Sequence, residues 1–511
     1  MGFDLAYISP ELILSIGGIL AILVGLGARS MLMPKRLGIF SPEAFSLIVL
    51  AAAFVPTIML LKDPVALHGI AQFVTGQEKY GLLAVDGLAI FFKIIALVST
   101  GIVILMSIDY FRGTSFHRGE YYALLIFAAL AITVLAASTD MIMIYLSLEF
   151  LSITSYILTG YLKKNVRSNE AALKYFIYGS VAAAVMIYGM SILYGITGTT
   201  NILVIAEKAH AHALSGPLLY LSTLLILIGF GFKIALVPAH QWAPDVYEGA
   251  PTPITAFLSV GSKAAGFAVL VRFLGTSVTA ADAFNWVPLI VILSGLTMTI
   301  GNLTALPQRN IKRMLAYSSI AQAGYLLLGV AALGSAVDPA ARQLAIQSIL
   351  LYLLVYLFMN LGAFAVVTLL GMRLKSDNIE DYGGLVKRAP WAAVSMLFFM
   401  LSLAGIPPTA GFLGKFYLFL AAIKIAQQPG GSALLWLSVV AIINTVVSVY
   451  YYFNVVREMF FGEEKQTTPL FSTPALNAVI GVALIMTVLV LVFSQTFGLF
   501  TQSTSSMLSG L

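Results

Sequence analysis

Apolar residues in this chain come in long unbroken runs rather than in alternation with polar ones. The runs are about 18–27 residues long and recur from end to end, separated by short polar turns. As helices, runs of this length cross a hydrocarbon layer of roughly 30 Å. Only helices and closed barrels satisfy their backbone groups in lipid. A barrel would need alternating segments of about 10 residues, and these are absent. The pattern therefore predicts an all-α polytopic membrane protein of about fourteen spans. They fall near residues 11–28, 43–61, 87–107, 120–138, 140–162, 171–196, 217–237, 252–273, 286–306, 313–333, 343–370, 391–424, 433–456 and 474–498. The twelfth is overlong and is interrupted by Pro407-Pro408. The longest polar loop, near 371–390, is too short for a soluble domain.

Composition agrees with the pattern. Of 511 residues, 60% are hydrophobic and 10% charged, and the mean hydropathy is +0.96. These values lie outside the soluble globular range. There is no cysteine, which excludes disulfides, Cys-ligated zinc and iron–sulfur clusters on this chain. Asp4 and Glu11 precede the first apolar run, and the first basic residue is Arg29. That is the wrong order for a secretory signal, so the first run is expected to remain as a spanning helix.

The location of the cations accounts for the net charge of +6 without a nucleic-acid partner. Seventeen of the 28 Lys and Arg residues fall in loops on the side reached after the first span, such as Arg29, Lys35, Arg36, Lys163, Lys164, Arg309, Lys312, Lys375 and Lys465. Six, including Lys62, Lys79, Lys208 and Arg272, fall on the other side. The positive-inside rule makes the first side cytoplasmic and places both termini outside.

Five lysines remain inside spans: Lys93, Lys174, Lys233, Lys263 and Lys415. Glu149 also lies well inside a span. A charge at mid-membrane costs roughly 2.5–3.5 kcal/mol on the insertion scale. Lysines near a helix end escape this by snorkelling, a reading that suits Lys93 best and Lys174 less. Lys233, Lys263 and Lys415 lie far from a polar flank or beside a helix break. Polar stripes accompany them. Tyr145, Glu149, Ser152, Tyr156 and Thr159 recur at steps of 4, 3, 4 and 3, and Ser348, Tyr352, Tyr356 and Asn360 at steps of 4. Each set is one face of a helix. Thr255, Ser259 and Ser262 precede Lys263, and Ser318, Gln322 and Tyr325 share the tenth span. Such stripes can simply glue helices together. Beside buried charges they read as the lining of a hydrated path.

Two helix breaks complete this picture. Lys233 lies between Gly229/Gly231 and Pro238, and Lys415 follows Pro407-Pro408 and Gly411. Broken helices expose backbone carbonyls at depth and mark ion sites in transporters. Spans 4–8 and 9–13 each form a five-helix set whose fourth member is the broken one. Five is odd, so the second set enters from the opposite face and the repeats are inverted. The expected divisions are 1–115 for spans 1–3, 116–275 and 284–460 for the two repeats, and 461–511 for the last span.

Five motifs carry a resemblance: LEFLSITSYILTG around Glu149, AALKYF around Lys174, FKIALVPAHQWAPDVYEGAPTPITAFLSVGSKAAG around Lys233 and Lys263, NIKRMLAYSSIAQAGY, and GIPPTAGFLGKFYLF around Lys415. With them the chain resembles the antiporter-like, proton-translocating subunits of respiratory complex I, the NADH:quinone oxidoreductase, and among these the N type (the mitochondrial chain-2 type). The resemblance implies one half-channel open to the cytoplasm, centred on Lys233 with Glu149. It implies a second open outward through Lys415, with Lys263 linking the two. Lys174 matches a further family lysine, and His240 matches a loop histidine that either relays protons or caps the loop. The resemblance assigns no counterpart to Lys93. The M type often has glutamate where this chain has Lys415. No cofactor is expected on this chain. Flavin, iron–sulfur clusters and quinone belong to partner subunits, and the other partners are the L- and M-type antiporter-like subunits and the lipid bilayer. The expected location is a bacterial inner membrane. A multisubunit cation/proton antiporter and a photosynthetic ferredoxin-linked complex are the alternatives. All five histidines, His68, His117, His210, His212 and His240, fall in loops or at span ends, so none builds a bis-His haem site.

Electrostatics can drive such a path. A carboxylate about 6 Å from an ammonium, at an effective dielectric of about 20, contributes roughly 2.8 kcal/mol. Moving a proton against about 150 mV takes about 3.5 kcal/mol.

Overall fold

A computed structural model describes residues 5–27, 41–63, 71–73 (backbone), 81–112, 118–210, 216–276, 285–464, 470 and 473–505. Arg29, Lys35, Arg36, Lys79, Lys465, His68, His117 and His212 lie outside the described residues.

Thirteen described helices are long and apolar enough to cross a membrane. In chain order the first seven are α1 (Ser9–Gly27), α2 (Pro42–Leu60), α3 (Gly87–Tyr110), α4 (Arg118–Ala137), α5 (Met141–Thr159), α6 (Val166–Thr197) and α7 (Pro217–Ile234). A short helix, α8 (Trp242–Gly249), follows the end of α7. Then come α9 (Thr252–Thr276), α10 (Val287–Ala305), α11 (Ile311–Ser335) and α12 (Pro339–Leu374). The overlong twelfth run is two helices, α13 (Pro390–Ala404) and α14 (Ala410–Ala426). The chain ends through α15 (Ser432–Phe461), α16 (Pro474–Val492) and a short α17 (Ser494–Thr504). Two strands not foreseen from the sequence, β1 (Ala71–Phe73) and β2 (Leu83–Val85), pair antiparallel beside the start of α3.

The helices begin where short polar side chains can take up the orphan amides of a first turn. Asp86, Asp140, Asn165, Asn310, Asp338 and Thr409 each accept such bonds, for α3, α5, α6, α11, α12 and α14 respectively. Three spans, α9, α11 and α12, are buried almost completely. They form the middle of the molecule. The outer spans turn apolar side chains outward, such as Leu23, Met59, Trp436, Val446 and Tyr450, as lipid contact requires. The packing order brings the sites together: α6 lies on α7, α9 on α12, α10 on α11, and both α11 and α12 on α14. The same order of shapes recurs in the two expected sets. A long third helix, 32 residues in α6 and 36 in α12, precedes the broken fourth.

Three charges lie deeper than the sequence reading placed them. Glu11 is inside α1 and buried, rather than ahead of the first span. Arg272, counted as a loop cation, is inside α9 and 2% exposed. Lys312, also counted with a loop, is buried in the first turn of α11. Each has a partner on another segment, which a count along the chain does not reveal.

Candidate functional site: a row of buried lysines at two helix breaks

Lys233 occupies the last turn of α7 and is buried. The helix runs unbroken through Gly229 and Gly231 and stops at Ile234, where Ala235 takes the left-handed conformation (φ 57). A residue with a Cβ is disfavoured there by about 1–2 kcal/mol, so the stop is held by its surroundings. One holder is evident. The indole Nε1 of Trp242, on α8, donates at 2.9 Å to the Phe232 carbonyl, which also accepts the Ala235 amide at 3.1 Å. Trp242 in turn stacks on Tyr175 of α6, with ring centroids 4.4 Å apart. With that carbonyl occupied, Lys233 reaches to α5, where its Nζ donates to Ser152 Oγ at 3.2 Å. Ser152 is one turn beyond Glu149, whose carboxylate is half-buried and within electrostatic range of the ammonium. The direct contact of Lys233 on α5 is the Ser152 hydroxyl, not the Glu149 carboxylate. The Tyr175 ring lies 5.9 Å from the same Nζ.

Lys263 stands at the middle of α9, directly after a π-helical turn at Leu258–Ser262. Such turns loosen the ladder of backbone bonds and cluster at functional positions. Its Nζ donates to the Ser319 carbonyl and, at 2.6 Å, to Ser319 Oγ on α11. Tyr356 of α12 donates to the same hydroxyl at 3.0 Å. Asn360, one turn further, donates to Ser259 Oγ at 2.7 Å. The stripe on α12 thus meets the stripe on α9.

Lys415 lies in the second turn of α14, beyond the second break. Helix α13 ends at Ala404, and Gly405 (φ 80) supplies the left-handed residue without the penalty met at Ala235. The Lys415 ammonium turns back onto this end. It donates to the carbonyls of Leu403 at 3.2 Å and Ala404 at 3.1 Å. It also sits 4.5 Å from the centre of the Tyr325 ring. The negative pole of a helix C-terminus favours a cation at that place. Thr409 and Ser402 bind the first amides of α14, at 3.3 Å and 3.0 Å.

The other two predicted residues are placed differently. Lys174 is 39% exposed, near the start of α6. It pairs with Glu170 and Asp245, both at 2.8 Å. Arg313 joins them, 2.6 Å from Asp245 and 2.9 Å from Glu248. Burial alone would raise the Asp245 carboxyl, but the hydrogen bonds from Lys174 and Arg313 outweigh it and hold the group below its ordinary value. This group borders a polar cavity of about 810 Å³ lined by Thr252, Lys312 and Asp377 among others. Lys312 bridges Asp377 at 3.2 Å and the Ala250 carbonyl at 3.4 Å. From the cavity, Thr252, Thr255, Ser259 and Lys263 follow one another along one side of α9. His240 is half-buried in the loop after the first break, with Nδ1 3.3 Å from the Pro238 carbonyl. Burial lowers its proton affinity.

Two buried ion pairs escaped the sequence reading. Lys93 does not snorkel: it is fully buried in α3 and pairs with Glu11 of α1 at 3.0 Å. Arg272 holds Asp86, the cap of α3, through two bonds of 2.9 Å, and donates to the Ala136 carbonyl. The partners are 82 and 186 residues apart. The only signal in the sequence was the presence of isolated acids near span ends.

Fold and site together define a polytopic membrane protein with a charged interior at two broken spans. The family described as NADH:quinone oxidoreductase/Mrp antiporter, TM, matches residues 138–447. NADH-quinone oxidoreductase subunit N 2 of Chloroherpeton thalassium is 47% identical over 80% of this chain and 79% of its own length. Subunit N of Desulfitobacterium hafniense is 41% identical over 91% and 90%. A chain of respiratory complex I from Thermus thermophilus is 31% identical, covers 96% of this chain and 98% of its own, and superposes with a TM-score of 0.75. A chain of the Mrp complex from Dietzia sp., at 19% identity over 99% of this chain and 98% of its own, shares the fold with a TM-score of 0.83. The chain belongs to the NADH:quinone oxidoreductase/Mrp antiporter transmembrane family and, within it, to the subunit N proteins.

Proposed function

We propose that this chain is the antiporter-like subunit N of a proton-translocating NADH:quinone oxidoreductase, carrying protons while electrons move on other subunits. The observation that carries this reading is the interior row of three ammonium groups, Lys233, Lys263 and Lys415, set at or between two broken spans. Each is about 2% exposed, and each is bound by hydroxyls or carbonyls. An ion pair would lock an ammonium in its charged form. Neutral partners accept the bond from a charged lysine and tolerate its loss.

In this reading Glu149 and Lys233 form the first half-channel, Lys263 the link and Lys415 the outward half. The basic face with Arg309 and Lys312 is cytoplasmic, and both termini lie outside a bacterial inner membrane. The two five-helix sets are inverted repeats. His240 caps the loop at the first break, since its ring contact is with that loop's own backbone. Lys174 belongs to the ionic group at the cytoplasmic rim. Flavin, iron–sulfur clusters and quinone reside on partners, and L- and M-type subunits continue the membrane arm.

The test has two arms. A native-mass pull-down should recover flavin- and iron–sulfur-containing chains with this one. In the recovered complex, Lys263→Met should abolish NADH-driven acidification of proteoliposomes. Ion exchange driven by a gradient alone, without such partners, would favour an antiporter instead. Normal pumping by assembled Lys263→Met complex would refute proton carriage through this chain.

A further inference from the structure

Between Lys263 and Lys415 the interior is crossed by two short sets of hydrogen bonds joined by a stacked pair of tyrosine rings. On the Lys263 side, Ser319 accepts from both Lys263 and Tyr356. The rings of Tyr356 and Tyr352 stack one turn apart, with centroids 6.5 Å from each other. Tyr352 donates to Oε1 of Gln322. Nε2 of Gln322 donates to the Leu403 carbonyl at 3.0 Å and to Tyr452 Oη at 3.1 Å. Leu403 is the residue whose carbonyl also receives Lys415. Gln322 itself is 1% exposed.

The orientation of the amide follows from its partners. A carbonyl can only accept, so the nitrogen must face Leu403 and the oxygen must face Tyr352. This arrangement has a chemical consequence. The Leu403 carbonyl receives two bonds and has no proton to pass on. The Gln322 amide receives a proton's bond at one end and donates at the other, but a neutral amide neither binds nor releases a proton in the physiological range. Protons move along chains of groups that can do both, such as hydroxyls, carboxylic acids and water. The bonds through Gln322 and the Leu403 carbonyl are thus closed to protons.

We infer that Gln322 is a positioning residue that keeps Lys415 isolated from the Lys263 side of the interior, holding the Leu403 carbonyl and the Tyr352 hydroxyl until water or a rotated amide opens the connection. This inference rests on the proton-carrying reading above and adds the point at which backflow is blocked. Gln322→Glu replaces the barrier with a relay of the same shape. A carboxyl there can bind and release a proton. Through water it can protonate a neutral Lys415 amine on one side and regain a proton from the Lys263 side on the other.

The experiment uses assembled complex in proteoliposomes and measures two quantities. One is the passive decay of an imposed pH gradient without NADH. The other is protons moved per NADH oxidised. For Gln322→Glu the decay should quicken on the order of tenfold, with fewer protons per NADH. For Gln322→Met, which fills the space and makes no bond, pumping should fall without this leak. Tyr352→Phe keeps the fold and releases only Oε1, so its leak should rise on the order of fivefold, and it carries the test if the glutamate variant does not assemble. Wild-type leak and wild-type protons per NADH in assembled Gln322→Glu, or in Tyr352→Phe where the former is not recovered, would overturn the inference. Lys263→Met in the same liposomes separates the two levels. If it stops pumping while the Gln322 variants behave as wild type, only the role of Gln322 falls. If it pumps normally, the proton-carrying reading falls and this inference with it.

Discussion

At the first break the Phe232 carbonyl is taken by the Ala235 amide and an indole, and Lys233 is left to reach another helix. At the second break the freed carbonyls of α13 go to Lys415 itself. One lysine therefore answers to side chains on α5, where Ser152 touches it and Glu149 lies a turn away. The other answers to a backbone end, which has a fixed polarity. A side chain can move or change its charge state, whereas a helix terminus keeps its negative pole whatever the lysine does. The difference suggests a division of labour. Lys233 is set against a partner that can be switched, and Lys415 is set against a constant field.

The largest effect expected from this comparison is shared by both breaks. Lys233→Met and Lys415→Met should each lower NADH-driven acidification on the order of tenfold or more, the scale of a lost proton-transfer group. The measurement is normalised to assembled complex. Wild-type rates in either variant would show that its break is structural only.

The next effect separates the two sites by the sign of charge. Exchanging the partners at the first break, Lys233→Glu with Glu149→Lys, should restore pumping severalfold over Lys233→Glu alone, because opposite charges again face each other across α5 and α7. At the second break no side-chain exchange is available. Lys415→Glu should pump less than Lys415→Arg, since a carboxylate would face two carbonyl oxygens at a negative helix end. The occurrence of glutamate at this place in related M-type subunits points the other way and suggests that either sign serves. Equal pumping by Lys415→Glu and Lys415→Arg would establish that view and remove the helix end from the account.

The parts of this comparison visible in the sequence were those that depend on neighbours along the chain. Lys233 and Lys415 stood out because apolar runs of spanning length surround them and because Pro238 and Pro407-Pro408 interrupt those runs. The stripe from Ser348 to Asn360 was visible by its step of four, and three of its members do reach polar partners on other helices. What could not be read was which helix face meets which. Trp242 gave no sign that its indole would close the end of α7. Nothing at Glu11 pointed to Lys93, or at Asp86 to Arg272. Such pairings are set by packing in three dimensions, and the sequence shows the charges without showing which meets which. Lys174 shows the converse error. It lay within a predicted span, yet α6 begins five residues earlier than expected, at Val166, and the lysine sits among ions at its exposed end.

A smaller effect would convert one break into the other. Trp242→Phe removes the donor to Phe232 and keeps most of the aromatic stack on Tyr175. The Phe232 carbonyl keeps the Ala235 amide, so the loss is that of one hydrogen bond, about 0.5–1.5 kcal/mol. Lys233 is close enough in sequence to answer that carbonyl, as Lys415 answers Leu403. The expected result is a lower unfolding midpoint and pumping reduced roughly fivefold, the factor for about 1 kcal/mol of misplaced bonding. Unchanged pumping with a lowered midpoint would mean that the indole supports the fold without governing where Lys233 points.

The smallest effect is expected at Lys174, and it decides whether the comparison stops at two lysine sites. Lys174 is partly exposed and shares Asp245 with Arg313. Exposed pairs of this kind contribute about 0.2–1 kcal/mol and weaken with salt. When the lysine is removed, Arg313 still holds the Asp245 carboxylate, so the local charge balance is only partly disturbed. Lys174→Met should therefore reduce pumping by less than about twofold at ordinary ionic strength, with a difference from wild type that shrinks further as salt is raised. The buried lysines should show no such salt dependence, because screening ions do not reach them. A loss as large as that of Lys233→Met, and insensitive to salt, would place Lys174 in the same path as the buried row and make the ionic group around Asp245 part of the route rather than its rim.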